Sequence, residues 1–236
     1  MILGALQSSY LPWLGFFEQM AGCDVFVIYD DLQYTRKDWR NRNRIKTPHG
    51  PMWLTVPVVV KGLNRPRICD VPIDHSSSWA RRHWKALHMN YSQARFFADH
   101  AGFFERLYRK KWTYLADLNR AIIDYLQTSL HIQTRVVYSA EHGLEHEFQN
   151  QYPPGANATD RIHFLCSRFG ATWFYEGASG RRYIQEDRLA RSGIKIMYQD
   201  YTHPVYEQMF GGFTPYLSTV DLLFNMGPAS LEILKS

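Results

Sequence analysis

MILGALQSSYLPWLGFFEQMAGCDVFVIY, residues 1–29, is the stretch whose reading decides the fold. Ile2 to Leu6 has the length and composition of a strand. The turn after it reaches Pro12, which can open a helix at its first position because the N–H that proline lacks is not needed there. Leu14, Phe17 and Met20 then fall on one helical face. Asp24 to Tyr29 is a short, continuous apolar run rich in β-branched residues, as expected of a strand buried on both faces. Strand, helix, strand predicts a parallel pair.

Downstream, Met52 to Val60 (MWLTVPVVV) reads as extended, with Pro57 marking an edge or a bend. From Ser78 to Leu130 the period becomes helical: Trp84, Leu87 and Tyr91 share one stripe, and Trp112, Leu115, Leu118, Ile122 and Leu126 a longer one. Gln149 to Asn157 (QNQYPPGAN) resembles a linker. Beyond it, a helix over Thr159–Phe169, a strand over Thr172–Tyr175, a helix over Ile184–Arg191 and a strand over Lys195–Tyr198 resume the alternation, with Gly170 and Gly193 where helix-ending glycines belong. Ser218 caps a last helix, with Asp221 at capping-box spacing. The expected fold is a single α/β domain over 1–236, a mostly parallel Rossmann-like sheet covered by helices, with about 78–130 as a helical insertion or cap.

The chain has 236 residues, enough for one substantial core, and no segment approaches the run of about 20 apolar residues that crosses a bilayer. Met1 to Gln7 has no basic n-region and no cleavage-like tail, so it reads as a strand rather than a signal peptide, and a cytoplasmic protein without membrane insertion is expected. Cys23, Cys69 and Cys166 are odd in number and far apart, which argues against a disulfide framework and a zinc site, and none has the local setting of a nucleophile. No metal site is expected.

A net charge of +5 favours anionic partners mildly. Its distribution says more. Basic residues crowd 36–46 (RKDWRNRNRIK), 81–85 (RRHWK) and 106–111 (RLYRKK). Solvated helix faces account for the second and third. In the first, four cations lie within seven residues directly after a strand, beside Trp39, Asn41 and Asn43, and this reads as a ligand surface.

In an open parallel sheet, ligands bind beyond the carboxyl ends of the strands. Here four strand ends lead into polar loops: Gln7 to Gly15, Asp30 to Lys37, Glu176 to Tyr183 and Gln199 to Gln208. Their convergence on one cleft is the expectation. Asp30 and Asp31 can hold an amine or act as a general base, with one of the two facing the cleft. Ser179 and Gly180 open a turn into a helix whose N–H groups can hold an anion, with Arg181 or Arg182 adding charge. His203 is the histidine to single out, beside Tyr206 and Gln208.

QSSYLPWLGFF, YDDLQYTRKDWRNRNRIKT, YEGASGRRYI and HPVYEQMFGGFTPYLSTVDLLFN, in that order, resemble the WbqC-like protein family over essentially the whole chain. Ser8 departs from the family's usual proline. The resemblance implies a role in O-antigen or related surface-glycan biosynthesis, or in a natural-product pathway, with glycyl or aminoacyl transfer to an amino sugar as the associated chemistry. The layout also resembles the nucleotidyltransferase and class I synthetase (HUP) superfold, although no His-x-Gly-His stands in residues 10–15.

These readings lead to acyl or aminoacyl transfer to an amine, with Asp31 or His203 as base or amine-orienting group. Substrate contacts are expected from Gln7, Asp30, Gln33, Tyr34, Lys37, Glu176, Tyr183, Tyr206 and Gln208. Ser179, Gly180 and Arg182 would bind an anionic part of donor or acceptor, and Arg40, Arg42 and Asn43 a phosphate. Tyr10, Trp13 and Trp39 offer stacking faces. The acceptor is a small-molecule amine or nucleotide-linked amino sugar, and the donor side calls for aminoacyl-tRNA, hence tRNA as a partner, or ATP with Mg²⁺. A nucleotide-dependent ligase and a non-catalytic nucleotide-sugar or RNA-binding protein are the competing readings.

Overall fold

The structure, a computed structural model, describes residues 1–236. In chain order its elements are β1 (Ile2–Leu6), α1 (Leu14–Ala21), β2 (Val25–Ile28), β3 (Arg42–Thr47), β4 (Gly50–Thr55), α2 (Trp79–Tyr91), α3 (Phe97–Arg109), α4 (Leu115–Ser129), β5 (Arg135–Tyr138), α5 (Leu144–Gln151), α6 (Ala158–Phe169), β6 (Trp173–Glu176), α7 (Glu186–Ala190), β7 (Lys195–Tyr198), α8 (Thr219–Met226) and α9 (Ser230–Lys235). They form two compact units: Met1–Gln7, Glu18–Asp31 and Gln133–Thr202 make the first, and Ser8–Phe17, Leu32–Ile132 and His203–Ser236 the second.

The first unit holds a five-stranded sheet in the order β5-β2-β1-β6-β7. Every pairing in it is parallel. The expected α/β class and the β1–β2 pair are therefore present, with Leu3 opposite Val25 and Leu6 opposite Ile28. All four residues of β2 are buried, which is why its sequence is apolar without alternation. The chain leaves β1 for β2 on one side and adds β6 on the other, so the strand order reverses at β1. In sheets of this kind ligands bind beyond the carboxyl ends beside the strand at which the order reverses.

The second unit pairs β3 and β4 as an antiparallel hairpin and adds α2, α3, α4, α8 and α9. Residues 78–130 are helical as expected, in three helices. No helix of the chain is long and apolar enough to cross a membrane.

Several boundaries differ from the sequence reading. α1 starts at Leu14, not at Pro12: Leu11 takes a positive φ of 46° and Trp13 bridges to Ser218, which holds the backbone out of helix until the next residue. The basic segment is strand rather than loop from Arg42, because Asn43 and Ile45 alternate inward between charged neighbours. The extended reading of 52–60 ends at Thr55, two residues before Pro57. β5 was too short to register as a separate run, and the linker's first residues, Gln149 to Gln151, close α5. The Ser179–Gly180 turn is a 3-10 segment, Ala178–Arg182, and α7 begins only at Glu186. The capping box falls at Asn157 and Asp160 on α6, whereas Ser218 caps α8 alone and Asp221 serves another purpose.

Candidate functional site

In the first unit the carboxyl edge of the sheet is rich in carboxylates and amides. Gln7 follows β1, Asp30 and Asp31 follow β2, Glu176 ends β6 and Gln199 follows β7. β1 lies between β2 and β6, so the acids flank Gln7 across two strand spacings, about 10 Å. Asp30 and Asp31 are both buried, and a turn takes the place of extended backbone at 30–31, so strand alternation does not set their directions. Ser139 Oγ accepts the Asp30 N–H at 3.1 Å.

Glu176 lies under the 3-10 turn. A Cβ on Gly180 would come within 2.3 Å of Glu176 Cγ, so only glycine allows the turn to close over this side chain. That cover removes water, and burial pushes the Glu176 carboxyl up to about 7, against the weaker opposing effects of the Gly177 N–H and the Tyr183 hydroxyl. Gly180 N–H donates to Gly177 O and Tyr183 N–H to Gly180 O, while Ser179, Arg182 and Tyr183 are exposed around them. The side chain of Tyr175 points the other way: its hydroxyl donates to Glu18 Oε1 at 2.8 Å, and Gln199 Nε2 donates to Glu18 Oε2. On the far side of the sheet Tyr29 OH and Arg161 both donate to Glu145 Oε2, at 2.8 and 2.9 Å.

The remaining expected residues lie in the second unit. His203 is half-buried; its Nδ1–H donates to Pro204 O at 2.9 Å, which leaves Nε2 as the unprotonated nitrogen. Burial holds its pKa below the usual value, so the ring is neutral near pH 7. Its neighbours are the rings of Tyr206, Phe213 and Tyr216, the last of which also packs on Trp13. Tyr206 and Gln208 line a cavity of about 710 Å³ formed by Val205 to Phe213. Both are nevertheless engaged: Tyr206 OH donates to Asp221, and Gln208 accepts from Lys46 Nζ at 3.1 Å and from the Thr214 N–H at 2.9 Å.

Two expectations here need correcting. Tyr10 offers no stacking face, because it is fully buried and its hydroxyl lies 2.8 Å from His83 Nδ1 and 2.5 Å from Tyr108 OH. Asn43 cannot grip a phosphate, since it is buried with Nδ2 on Leu11 O at 2.6 Å and Oδ1 on the Arg44 N–H at 2.8 Å. It holds the strained Leu11 turn instead. Tyr34 is buried too, whereas Gln33, Lys37 and Trp39 are exposed; Arg40 reaches Ser9 Oγ at 3.3 Å, and Arg42 lies on the Trp53 ring.

Residues 7–233 match the model of the WbqC-like protein family. The chain belongs to that family. It is 40% identical over 232 residues to the uncharacterized protein Rv1507c of Mycobacterium tuberculosis (strain ATCC 25618 / H37Rv), an alignment spanning 98% of this chain and 96% of the relative. No solved structure matches.

In this WbqC-like chain Ser8, where the resemblance leads one to expect proline, is buried and its hydroxyl accepts from Asn119 Nδ2 at 3.1 Å. Asn119 also donates to Arg40 O at 2.9 Å, so a side-chain bridge replaces the stiffness of a proline ring. Sequence reasoning missed Glu18, which looks like one polar position on an amphipathic helix until Tyr175 and Gln199 are folded against it. It missed His83 as well: burial, with the nearby Arg82 charge, pushes that imidazole down to about 4. Periodicity alone places it on the inner face of α2, two turns before Tyr91. It missed Trp53 too, which the fold leaves exposed and directly opposite Arg44 in the hairpin register.

Proposed function

We propose that this protein transfers an acyl or aminoacyl group to an amine, with the carboxyl edge of the parallel sheet as the place where the amine is held and deprotonated. The observation that carries this reading is Glu176, a carboxyl at a strand end whose burial brings its pKa to about 7. A general base works best when its pKa lies near the working pH. The amine of an amino sugar arrives largely as ammonium; Asp30 and Asp31 supply negative charge to hold it, and Glu176 accepts the proton it must lose. The nitrogen lone pair then attacks the acyl carbon and the C–N bond forms; Glu176 hands its proton to the leaving oxygen as the C–O bond of the activated donor breaks, then takes the second proton that the nitrogen must lose to become an amide and releases it to solvent. Aminoacyl-tRNA fits the donor role, and an acyl adenylate made from ATP with Mg²⁺ serves the same chemistry. A nucleotide-linked amino sugar of surface-glycan biosynthesis, or a natural-product amine, is the acceptor. Cytoplasm is the compartment in which aminoacyl-tRNA and nucleotide-linked sugars are made, and the reaction belongs there.

The test is amide formation from a mixture of labelled aminoacyl-tRNAs onto a panel of amino sugars, followed against pH. The wild-type rate should rise through about pH 7 and level off, and Glu176→Gln should lose about 10²–10⁴-fold in rate together with that rise. Glu176→Gln at full rate, with the pH profile intact, sinks the assignment of the base.

A further inference from the structure

The outer face of the β3–β4 hairpin in the second unit combines exposed aromatic rings with cations. Antiparallel partners project to the same side of a sheet, and the register sets Arg44 opposite Trp53 and Arg42 opposite Thr55. Trp53 is 45% exposed and Trp39 39%, with ring centroids 5.5 Å apart. The Arg42 guanidinium carbon lies 4.5 Å from the Trp53 ring centroid and that of Arg44 5.6 Å. Large indoles at a surface leave apolar area in water, which marks a face that another molecule covers. Arg42 donates to Lys37 O and Arg44 to Tyr216 O, both carbonyls, and the acid beside them is Asp38, whose carboxyl the Arg40 and Arg42 charges help to hold below its usual value. Exposed Lys37 adds a further cation.

We infer that this face binds an unpaired nucleic-acid strand, whose bases stack on Trp39 and Trp53 while Arg42 and Arg44 hold neighbouring phosphates. Each half of the surface answers one half of the ligand. Indole faces stack on any base, and a guanidinium carries N–H donors for phosphate oxygens beyond the one that each arginine uses on a carbonyl. Arg42 and Arg44 are two positions apart on one strand, about 6.8 Å, so they serve successive units of a repeating chain rather than one isolated anion. An acidic peptide would match the charge and leave the indoles without planar partners. This inference concerns binding by the second unit and stands apart from the transfer chemistry; its failure would leave Glu176 untouched.

The experiment is fluorescence anisotropy of a labelled, unstructured RNA octamer with the full chain, across a salt series. The octamer should bind more tightly than its own duplex and than uridine diphosphate, with a slope of log K against log salt of about −1.4 to −2.8, as two to four phosphate contacts on a single strand require. Trp53→Ala should weaken binding about five- to a hundredfold and Trp53→Phe much less, while Arg44→Ala should flatten the salt slope by about 0.7. Melting curves identify any variant that fails to fold; should Trp53→Ala be one, Trp53→Phe and Arg44→Ala carry the test. Equal affinity for the duplex, for uridine diphosphate or for polyglutamate overturns the inference, as does octamer binding that none of the folded variants changes.

Discussion

At the scale of single residues, Glu176 joins fold and chemistry most directly, because the turn that buries it also raises its pKa. A carboxyl whose folded pKa, about 7, exceeds the 4.5 of its ordinary state costs stability once pH rises above the lower value. Between those two pH values the folded chain keeps a proton that the unfolded chain has released, so stability falls as pH rises through the window. Glu176→Gln removes this dependence. The variant should be more stable than wild type above pH 7, by up to about 3 kcal/mol, and the two should converge towards pH 4. Urea denaturation at several pH values measures the difference, and parallel curves would show that the carboxyl is not buried as described. The identity of this residue was legible in the sequence as one of several polar groups after a strand. Its pKa was not, since the cover that produces the shift depends on a 3-10 turn where the sequence predicts a helix start. Tyr10 and Asn43 failed for the opposite reason: both lie in ligand-like company along the chain, and only folding shows their polar atoms bonded to His83, Tyr108 and the Leu11 turn.

Among the elements, the hairpin is held by one buried chain of hydrogen bonds. The Lys46 N–H of β3 donates to Tyr91 OH at 2.9 Å, Tyr91 at the end of α2 donates to Asp221 Oδ1 at 2.7 Å, and Asp221 of α8 also accepts from Tyr206 OH at 2.8 Å. Lys46 Nζ reaches Gln208 Oε1 and the carbonyls of Gly211 and Gly212, so the same strand position fixes the 208–212 loop. Tyr91→Phe leaves a buried carboxylate with one donor fewer and a backbone N–H with no acceptor. It should cost about 1–3 kcal/mol, and the Lys46 amide should exchange with solvent faster than those of β2. Amide exchange read by NMR decides it; unchanged protection at Lys46 would mean that the hairpin does not lean on this network. The sequence showed the parallel pair and the helical stripes because burial on a regular period writes itself into residue order. It did not show β3, whose charged residues conceal the alternation of Asn43 and Ile45, nor the work of Asp221, whose spacing from Ser218 imitates a capping box while its carboxylate bridges two tyrosines.

For the whole molecule, the three thiols report on how the units open. Cys23 and Cys166 are buried in the first unit, and burial pushes both thiols up to about 12, so neither supplies thiolate near neutral pH while folded. Cys69 lies in the second unit and is only partly buried. Cys23 stands between α1 and β2, where its Sγ packs close to Gly4 of the central strand and donates to Gln19 O. Cys166 is carried by α6, whose end leads directly into β6 through Gly170. Both sites depend on the same sheet, β2 and β6 each hydrogen-bonding to β1. Exposure of either therefore requires that sheet to open. With a chromogenic disulfide reagent at neutral pH, one thiol should react promptly and two only as the first unit unfolds. Those two should be modified at a common rate in the native buffer and at a common urea midpoint, since a parallel sheet that shares one central strand opens as a cooperative unit. Mass mapping of the labelled peptides assigns each rate to its cysteine. Markedly different rates for Cys23 and Cys166 would mean that α1 or α6 detaches separately, and the carboxyl edge between β1 and β6 would then have to be treated as a crevice with a moving wall.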